Sequence, residues 1–248
     1  MWPAEVMTMS GPLILSLTGS IAAGKSTVGQ LLEARGAVHC DADKLVHRLY
    51  DPGTPGFEKV VGHYGEEVVG ADGYIDRKVL GSKVFGKPEE MRKLTEAMGS
   101  ISDLIENEIK SWRENLNDGD VAVMEAVNMM EPGYARWCDQ TWLIGVSDEV
   151  ARVRLKETRG MSEEEANQRL ASMRPFSARA GGADWTYMND GTPDELEAAV
   201  DAELARVRAL HSQGALAESV FEPWWEAFKE EAKAAAEAKK AEEAKTSG

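Results

Sequence analysis

Apolar and polar residues alternate along this chain in blocks of two kinds. Short uninterrupted apolar runs, the pattern of strands buried on both faces, stand between longer stretches in which apolar residues return every three or four positions. Leu13-Ile14-Leu15-Ser16-Leu17-Thr18 is the first such run. Val38-His39-Cys40, Val121-Ala122-Val123-Met124, Thr141-Trp142-Leu143-Ile144-Gly145-Val146 and Trp185-Thr186-Tyr187-Met188 follow. Thr27 to Ala34 predicts a helix with Val28, Leu31 and Leu32 on one face. Strands alternating with helices predict an α/β fold with a parallel sheet covered on both sides. Ligands in such sheets sit beyond the carboxyl ends of the strands. Asp41, Asp43, Glu125 and Asn189 fall just past those ends.

Two longer helical stretches interrupt the alternation. The first, about 51–117, opens on the turn cluster Asp51-Pro52-Gly53-Thr54-Pro55-Gly56. Within it Asp76 is placed to cap a helix over Arg77 to Phe85, and Pro88 suits the first turn of a helix running to Asn115. An insert of this size on a small α/β core builds a further ligand pocket or is a structural elaboration. The second, about 147–182, predicts a helix from Ser147 to Gly160 and another behind the capping box Ser162-Glu163-Glu164-Glu165. Arg152, Arg154, Lys156, Arg159, Arg169, Arg174 and Arg179 make it a basic island. It predicts a lid that closes over phosphates and excludes water, the alternative being a solvated hairpin whose arginines pair with its own glutamates. From residue 211 the chain changes character. Phe221, Trp224, Trp225 and Phe228 form an aromatic cluster, and Lys229 to Lys245 is an Ala/Glu/Lys run with five lysines against five glutamates. That pattern predicts an anchor followed by a solvated helix or tail, with a partner-binding helix as the alternative.

Between the first strand and the first helix lies Gly19-Ser20-Ile21-Ala22-Ala23-Gly24-Lys25-Ser26-Thr27, a complete G-x-x-x-x-G-K-[ST] loop in the required strand-to-helix context. Gly19 and Gly24 let the backbone curl so that successive N–H groups face phosphate oxygens. The helix start adds unpaired N–H groups and the positive end of a dipole. Lys25 supplies a mobile cation, and Ser26 a hydroxyl for Mg²⁺, an ion that prefers oxygen ligands.

Composition narrows the picture. The chain has 248 residues, 43% of them hydrophobic, which is enough for a sizeable core. A formal net charge of −15 disfavours nucleic acid and anionic membrane as partners. No apolar stretch is long enough to span a bilayer. Residues 1–12 predict an N-terminal extension without the basic or apolar segments of a signal peptide, with Met7 and Met9 as alternative starts. Cys40 and Cys138 lack metal-ligand spacing and predict free thiols in a reducing cytoplasm.

Taken in order, these motifs resemble the dephospho-CoA kinase family of P-loop kinases. Leu17 to Thr27, Cys40-Asp41-Ala42-Asp43, Asp72-Gly73-Tyr74-Ile75-Asp76-Arg77-Lys78-Val79-Leu80-Gly81 and Val84-Phe85 carry the resemblance in the first half of the chain. Glu125, Glu131, Arg154-Leu155, Arg159 to Ala166, Ala183-Asp184 and Asn189-Asp190-Gly191 continue it. It covers about Leu13 to Leu204 and implies a five-stranded parallel sheet of order 2-3-1-4-5. It divides the chain into a kinase domain over 13–210 and the distinct segment 211–248. The implied reaction is transfer of the ATP γ-phosphate to the ribose 3′-hydroxyl of dephospho-CoA. By resemblance, Asp43 faces that hydroxyl, Arg77 and Glu131 contact the acceptor, and Asp41 orders the turn. Gly19, Ala22, Ala23, Gly24, Lys25, Ser26, Thr27, Arg159 and Asn189 hold ATP, with Lys25 and Arg159 assisting transfer. Ser26, and Glu125 through water, serve Mg²⁺. The implied protein is cytoplasmic, a monomer or small homo-oligomer. The chain departs from the family pattern at Met98-Gly99, Val127-Asn128-Met129 and Met173, all around the acceptor pocket or lid. A kinase of another nucleoside or nucleotide, and a non-enzymatic nucleotide-binding module, are the alternatives.

Overall fold

Each of the five apolar runs forms a strand: β1 (Leu13–Gly19), β2 (Val38–Asp41), β3 (Val121–Glu125), β4 (Gln140–Gly145) and β5 (Trp185–Met188). In the computed structural model, which describes residues 11–98 and 100–246 and gives the backbone alone for residues 43, 46, 47, 88, 95–98 and 239–246, they make one sheet of order β2-β3-β1-β4-β5. The strands run parallel, with Leu15 opposite Val123 on one side and Gln140 on the other. The reading of residues 1–10 as an extension lies outside the described residues.

The helices are α1 (Lys25–Ala34), α2 (Ala42–Leu45), α3 (Pro55–Tyr64), α4 (Arg77–Val84), α5 (Pro88–Met98), α6 (Ile101–Asn115), α7 (Asp148–Arg159), α8 (Glu163–Ala171), α9 (Phe176–Ala180), α10 (Pro193–Ser212) and α11 (Phe221–Thr246). The chain divides into two compact units, one made of Met1–His39 with Trp112–Gly248 and the other of Cys40–Ser111.

In the first unit, the period-2 rule sends Leu13, Leu15, Leu17, Trp142 and Ile144 to one face of the sheet. There they pack with Val28 and Leu32 of α1 and with Leu196, Val200, Leu204 and Val207 of α10. Leu143 points the other way and joins Met130, Ala135 and Phe221. Phe221, the first residue of α11, is 1% exposed. Its replacement by alanine is expected to cost about 3–5 kcal/mol, the usual loss for a buried aromatic ring. Denaturant unfolding of Phe221→Ala against the parent chain checks this.

The second unit explains the Asp72-to-Leu80 motif in physical terms. Gly73 takes a positive φ of 81° at the tip of a turn. Asp72 accepts the Tyr74 N–H at 3.1 Å, and an antiparallel bridge pairs Val69 with Ile75. Asp76 then caps α4 as the sequence predicts, accepting the N–H groups of Lys78 (2.8 Å) and Val79 (3.2 Å). Ile75, Leu80 and Val84 reach the core that Val60, Tyr64 and Leu94 share.

One element departs from the expectation. The single helix from Pro88 to Asn115 is two helices, α5 and α6. Ser100 starts the second: its hydroxyl accepts the Asp103 N–H at 3.3 Å and its carbonyl the Leu104 N–H at 3.2 Å. The departure noted at Met98-Gly99 lies outside the described residues and side chains.

Candidate active site

The loop between β1 and α1 has the geometry its glycines require. A side chain at Gly19 would strike the Ile144 carbonyl of the neighbouring strand. Gly24 sits at φ 89° as the N-cap of α1, and a methyl there would come within 2.6 Å of Asn189 Nδ2. Ala22 takes φ 59°, the one non-glycine residue with positive φ among the described residues. A left-handed alanine is costly, and its neighbours hold it. Arg154 donates to the Ala22 carbonyl at 3.2 Å, and Asn189 donates to the Ala23 carbonyl at 2.9 Å. Within the loop the Ser20 N–H donates to the Ile144 carbonyl (3.0 Å) and the Ala23 N–H to the Ser20 carbonyl (3.3 Å), so it is the start of α1 that turns N–H groups toward an anion. Lys25 is buried inside the curl and donates to the carbonyls of Gly19 (3.2 Å) and Ser20 (3.0 Å).

Ser26, the second residue of α1, donates its hydroxyl to Glu125 Oε1 at 2.9 Å. Glu125 ends β3, and its other oxygen lies 2.9 Å from His39 Nε2 on β2. Gly29 makes this meeting possible: a Cβ there would stand 2.6 Å from His39 Nε2 and 3.0 Å from Glu125 Oε2. Hydroxyl and carboxylate oxygens are the donor set that suits Mg²⁺. Among the described residues no cluster of three or more His, Cys, Asp or Glu side chains stands ready as a metal cage. A small number of protein oxygens fits an ion that completes its shell with phosphate and water.

Next to the loop opens a cavity of about 430 Å³, lined among others by Ala22, Gly24, Lys25, Thr27, Arg159 and Asn189. The structure therefore brings the sequence-predicted loop residues together with Arg159 and Asn189. Arg154 and Thr158 join them on the same wall.

The basic island does not act as one group. Arg154 and Arg159 belong to the loop cavity, whereas Arg152 donates to Asn167 at 2.9 Å within the helical hairpin. Arg174 lies over the Phe228 ring at 4.6 Å and 3.8 Å from Glu231 of α11. Arg179 is 2% exposed and far from a solvent-facing lid residue. It donates to Thr18 Oγ1 (3.0 Å), the Val127 carbonyl (3.1 Å) and Glu131 Oε2 (3.3 Å). Its Nε also lies 2.9 Å from Glu131 Oε1, close as an ion pair but misaligned as a hydrogen bond. Burial pulls the Arg179 pKa below its ordinary value, and the Glu131 carboxylate opposes that pull. The expectation that all seven basic residues close over phosphates is corrected accordingly.

Glu131 thus stands on a buried arginine. Met129 and Met130 before it are fully buried, so methionine fills the wall beside it. Met173 packs against the Ile21, Leu155 and Ala166 cluster. Asp43 and Arg77 belong to the other unit. Asp43 lies in α2, just past β2, and its side chain is outside the described ones. Arg77 opens α4 and is exposed. Burial pushes Cys40 up to about 11 and Cys138 further still, so neither is a ready thiolate.

The His39–Glu125 contact and the Arg179–Glu131 pair are what sequence reading missed, whereas Arg154 was already named in the basic island. His39 is the second residue of β2, with nothing local to mark it as a partner of Glu125. The pairs lie 86 and 48 positions apart.

A parallel sheet of this order with a complete phosphate loop at the carboxyl end of β1, a lysine inside the curl and a Ser–carboxylate pair beside it defines a P-loop kinase. The comparisons specify which kind. A family model described as dephospho-CoA kinase matches residues 13–195, and the chain belongs to that family. The dephospho-CoA kinase of Geobacter sulfurreducens is 38% identical over 190 residues, covering 76% of this chain and 95% of the relative. That of Symbiobacterium thermophilum is 38% identical over 191 residues, covering 76% of this chain and 79% of the relative. Among solved structures, TT1252 from Thermus thermophilus superposes with a TM-score of 0.60 at 26% identity, over 79% of this chain and 98% of that one.

Proposed function

We propose that the chain transfers the γ-phosphate of ATP to the ribose 3′-hydroxyl of dephospho-CoA. The reading rests on one observation above the others: an intact phosphate loop, with Lys25 inside it and Ser26 on Glu125, in a chain of the dephospho-CoA kinase family. The loop N–H groups and Lys25 bind the donor's β- and γ-phosphates, and Arg159 and Asn189 line the space beside them. Ser26 and, through water, Glu125 would hold Mg²⁺, which when bound neutralises phosphate charge. Asp43 accepts the proton of the acceptor hydroxyl as the new oxygen–phosphorus bond forms and the bond to the ADP oxygen breaks. Arg77 and Glu131 contact the acceptor. The helical segment 51–117 supplies the acceptor pocket, and within 147–182 the hairpin of α7 and α8 supplies the mobile cover, α9 being held by Arg179 and Trp224. We place the enzyme in the cytoplasm as a monomer or small homo-oligomer that does not bind nucleic acid, in keeping with its net charge of −15. Among the described residues no helix is long and apolar enough to cross a membrane.

A coupled ADP-release assay with Mg·ATP and dephospho-CoA, adenosine, AMP or CMP tests the reading. Turnover is expected with dephospho-CoA in clear preference. Preferential use of a nucleoside or nucleotide overturns the assignment of the acceptor.

A further inference from the structure

The family match ends at residue 195, yet the structure builds α11 tightly onto the same unit. Four observations converge on its first two turns. Trp225 donates its indole N–H to the main-chain carbonyl of Glu131 at 3.2 Å. Trp224 donates to the carbonyl of Ala178 at 3.3 Å, in the short helix that carries Arg179. Both indoles lie where a side chain is absent: a Cβ at Gly182 would collide with the Trp224 ring, and one at Gly133 with the Trp225 ring. Arg136 lies against both Trp137 (4.4 Å) and Trp225 (5.1 Å), which locks the turn that follows Glu131.

The two anchor points are the two sides of one ion pair. Trp225 fixes the backbone of Glu131, and Trp224 fixes the helix of Arg179. We propose that α11 is a positioning element for the phosphoryl acceptor, with Trp225 setting where the Glu131 carboxylate stands. The inference rests on the acceptor reading of Glu131 given above. A carboxylate in contact with a buried guanidinium has little freedom of its own. Its location is then decided by where its backbone is held. Trp225 supplies the side-chain hydrogen bond to that carbonyl, and it comes from a segment beyond the family match.

The test uses the full chain and steady-state kinetics with both substrates varied. Trp225→Phe keeps a ring in the slot and removes the N–H. It is expected to raise the KM for dephospho-CoA about three- to tenfold, the effect of one hydrogen bond, and to leave the KM for ATP unchanged. In a Glu131→Gln background the same substitution is expected to add less than twofold, because its route has been cut. An equal penalty in both backgrounds, or a matching rise in the ATP KM, overturns the proposal. Coupling between sites is reciprocal, so a second measurement needs no variant. Dephospho-CoA bound to the unmodified enzyme should slow amide hydrogen exchange over residues 221–228, and unchanged exchange there overturns the proposal even where Trp225→Phe fails to fold. If the unmodified enzyme ignores dephospho-CoA, the acceptor reading falls first. Exchange over 221–228 measured with whichever acceptor it does use then judges the helix separately.

Discussion

Lys25→Ala is expected to lower turnover by about 10²–10³-fold, the scale of losing one preorganised charge-stabilising donor in a buried site. The lysine has two tasks. Its ammonium lies within the curl, bonded to the Gly19 and Ser20 carbonyls. Those bonds hold the loop in shape, and the same charge is close at hand for the outer phosphates. Alanine removes both the cation and the internal brace, so the KM for ATP should rise along with the fall in kcat. Lys25→Arg separates the tasks, because it keeps the charge while the enclosed position leaves little room for a guanidinium fork. Arginine should therefore recover little activity. A Lys25→Ala enzyme with turnover within tenfold of the parent would mean that phosphate charge is met elsewhere, with Arg154 and Arg159 the next nearest cations on the cavity wall.

Asp43→Asn is expected to cut turnover by about 10²–10⁴-fold while ATP binding stays intact, the range for loss of a general base. Asparagine preserves size and hydrogen bonding but cannot take a proton at neutral pH. Its effect should fall on kcat with the acceptor saturating, and nucleotide titration should give an unchanged Kd. The two variants therefore fail differently, one through the donor and the other through the acceptor. Near-normal turnover in Asp43→Asn would remove the residue from the proposed role and leave the acceptor hydroxyl to be deprotonated late or by water.

Much of the frame was readable in the residue pattern, because the pattern there is local. Apolar runs with turn residues after them have one physical outcome in a chain of this length, and the five strands lie where the runs are. Capping chemistry was equally direct: Ser162 and Glu165 form both hydrogen bonds of the capping box. The same signal stands at Thr192-Pro193-Asp194-Glu195 and opens α10, whose buried Leu196, Val200 and Leu204 cover the sheet. The break before α6 was missed: the residue pattern ran as one helix from Pro88 to Asn115, although Ser100, whose hydroxyl accepts the Asp103 N–H, is a residue able to cap. What no local rule reveals is which distant charges meet. Arg179 resembles its six basic neighbours in sequence. Only the sheet brings it under Thr18 and Glu131, where burial rather than exposure decides its part. The His39–Glu125 contact depends in the same way on a glycine in a third element, α1.

Gly133 and Gly182 carry a consequence for how such an enzyme can be changed by descent or by design. Each is a notch cut for an indole, and Gly133 is additionally held at φ 82°. Notches without tryptophans leave holes; tryptophans without notches leave collisions. The terminal segment therefore cannot be grafted onto a shorter homologue as a detachable module. Transplanting it calls for two glycines cut into the host at the same time, and a lineage that discarded it would leave two glycines behind as scars.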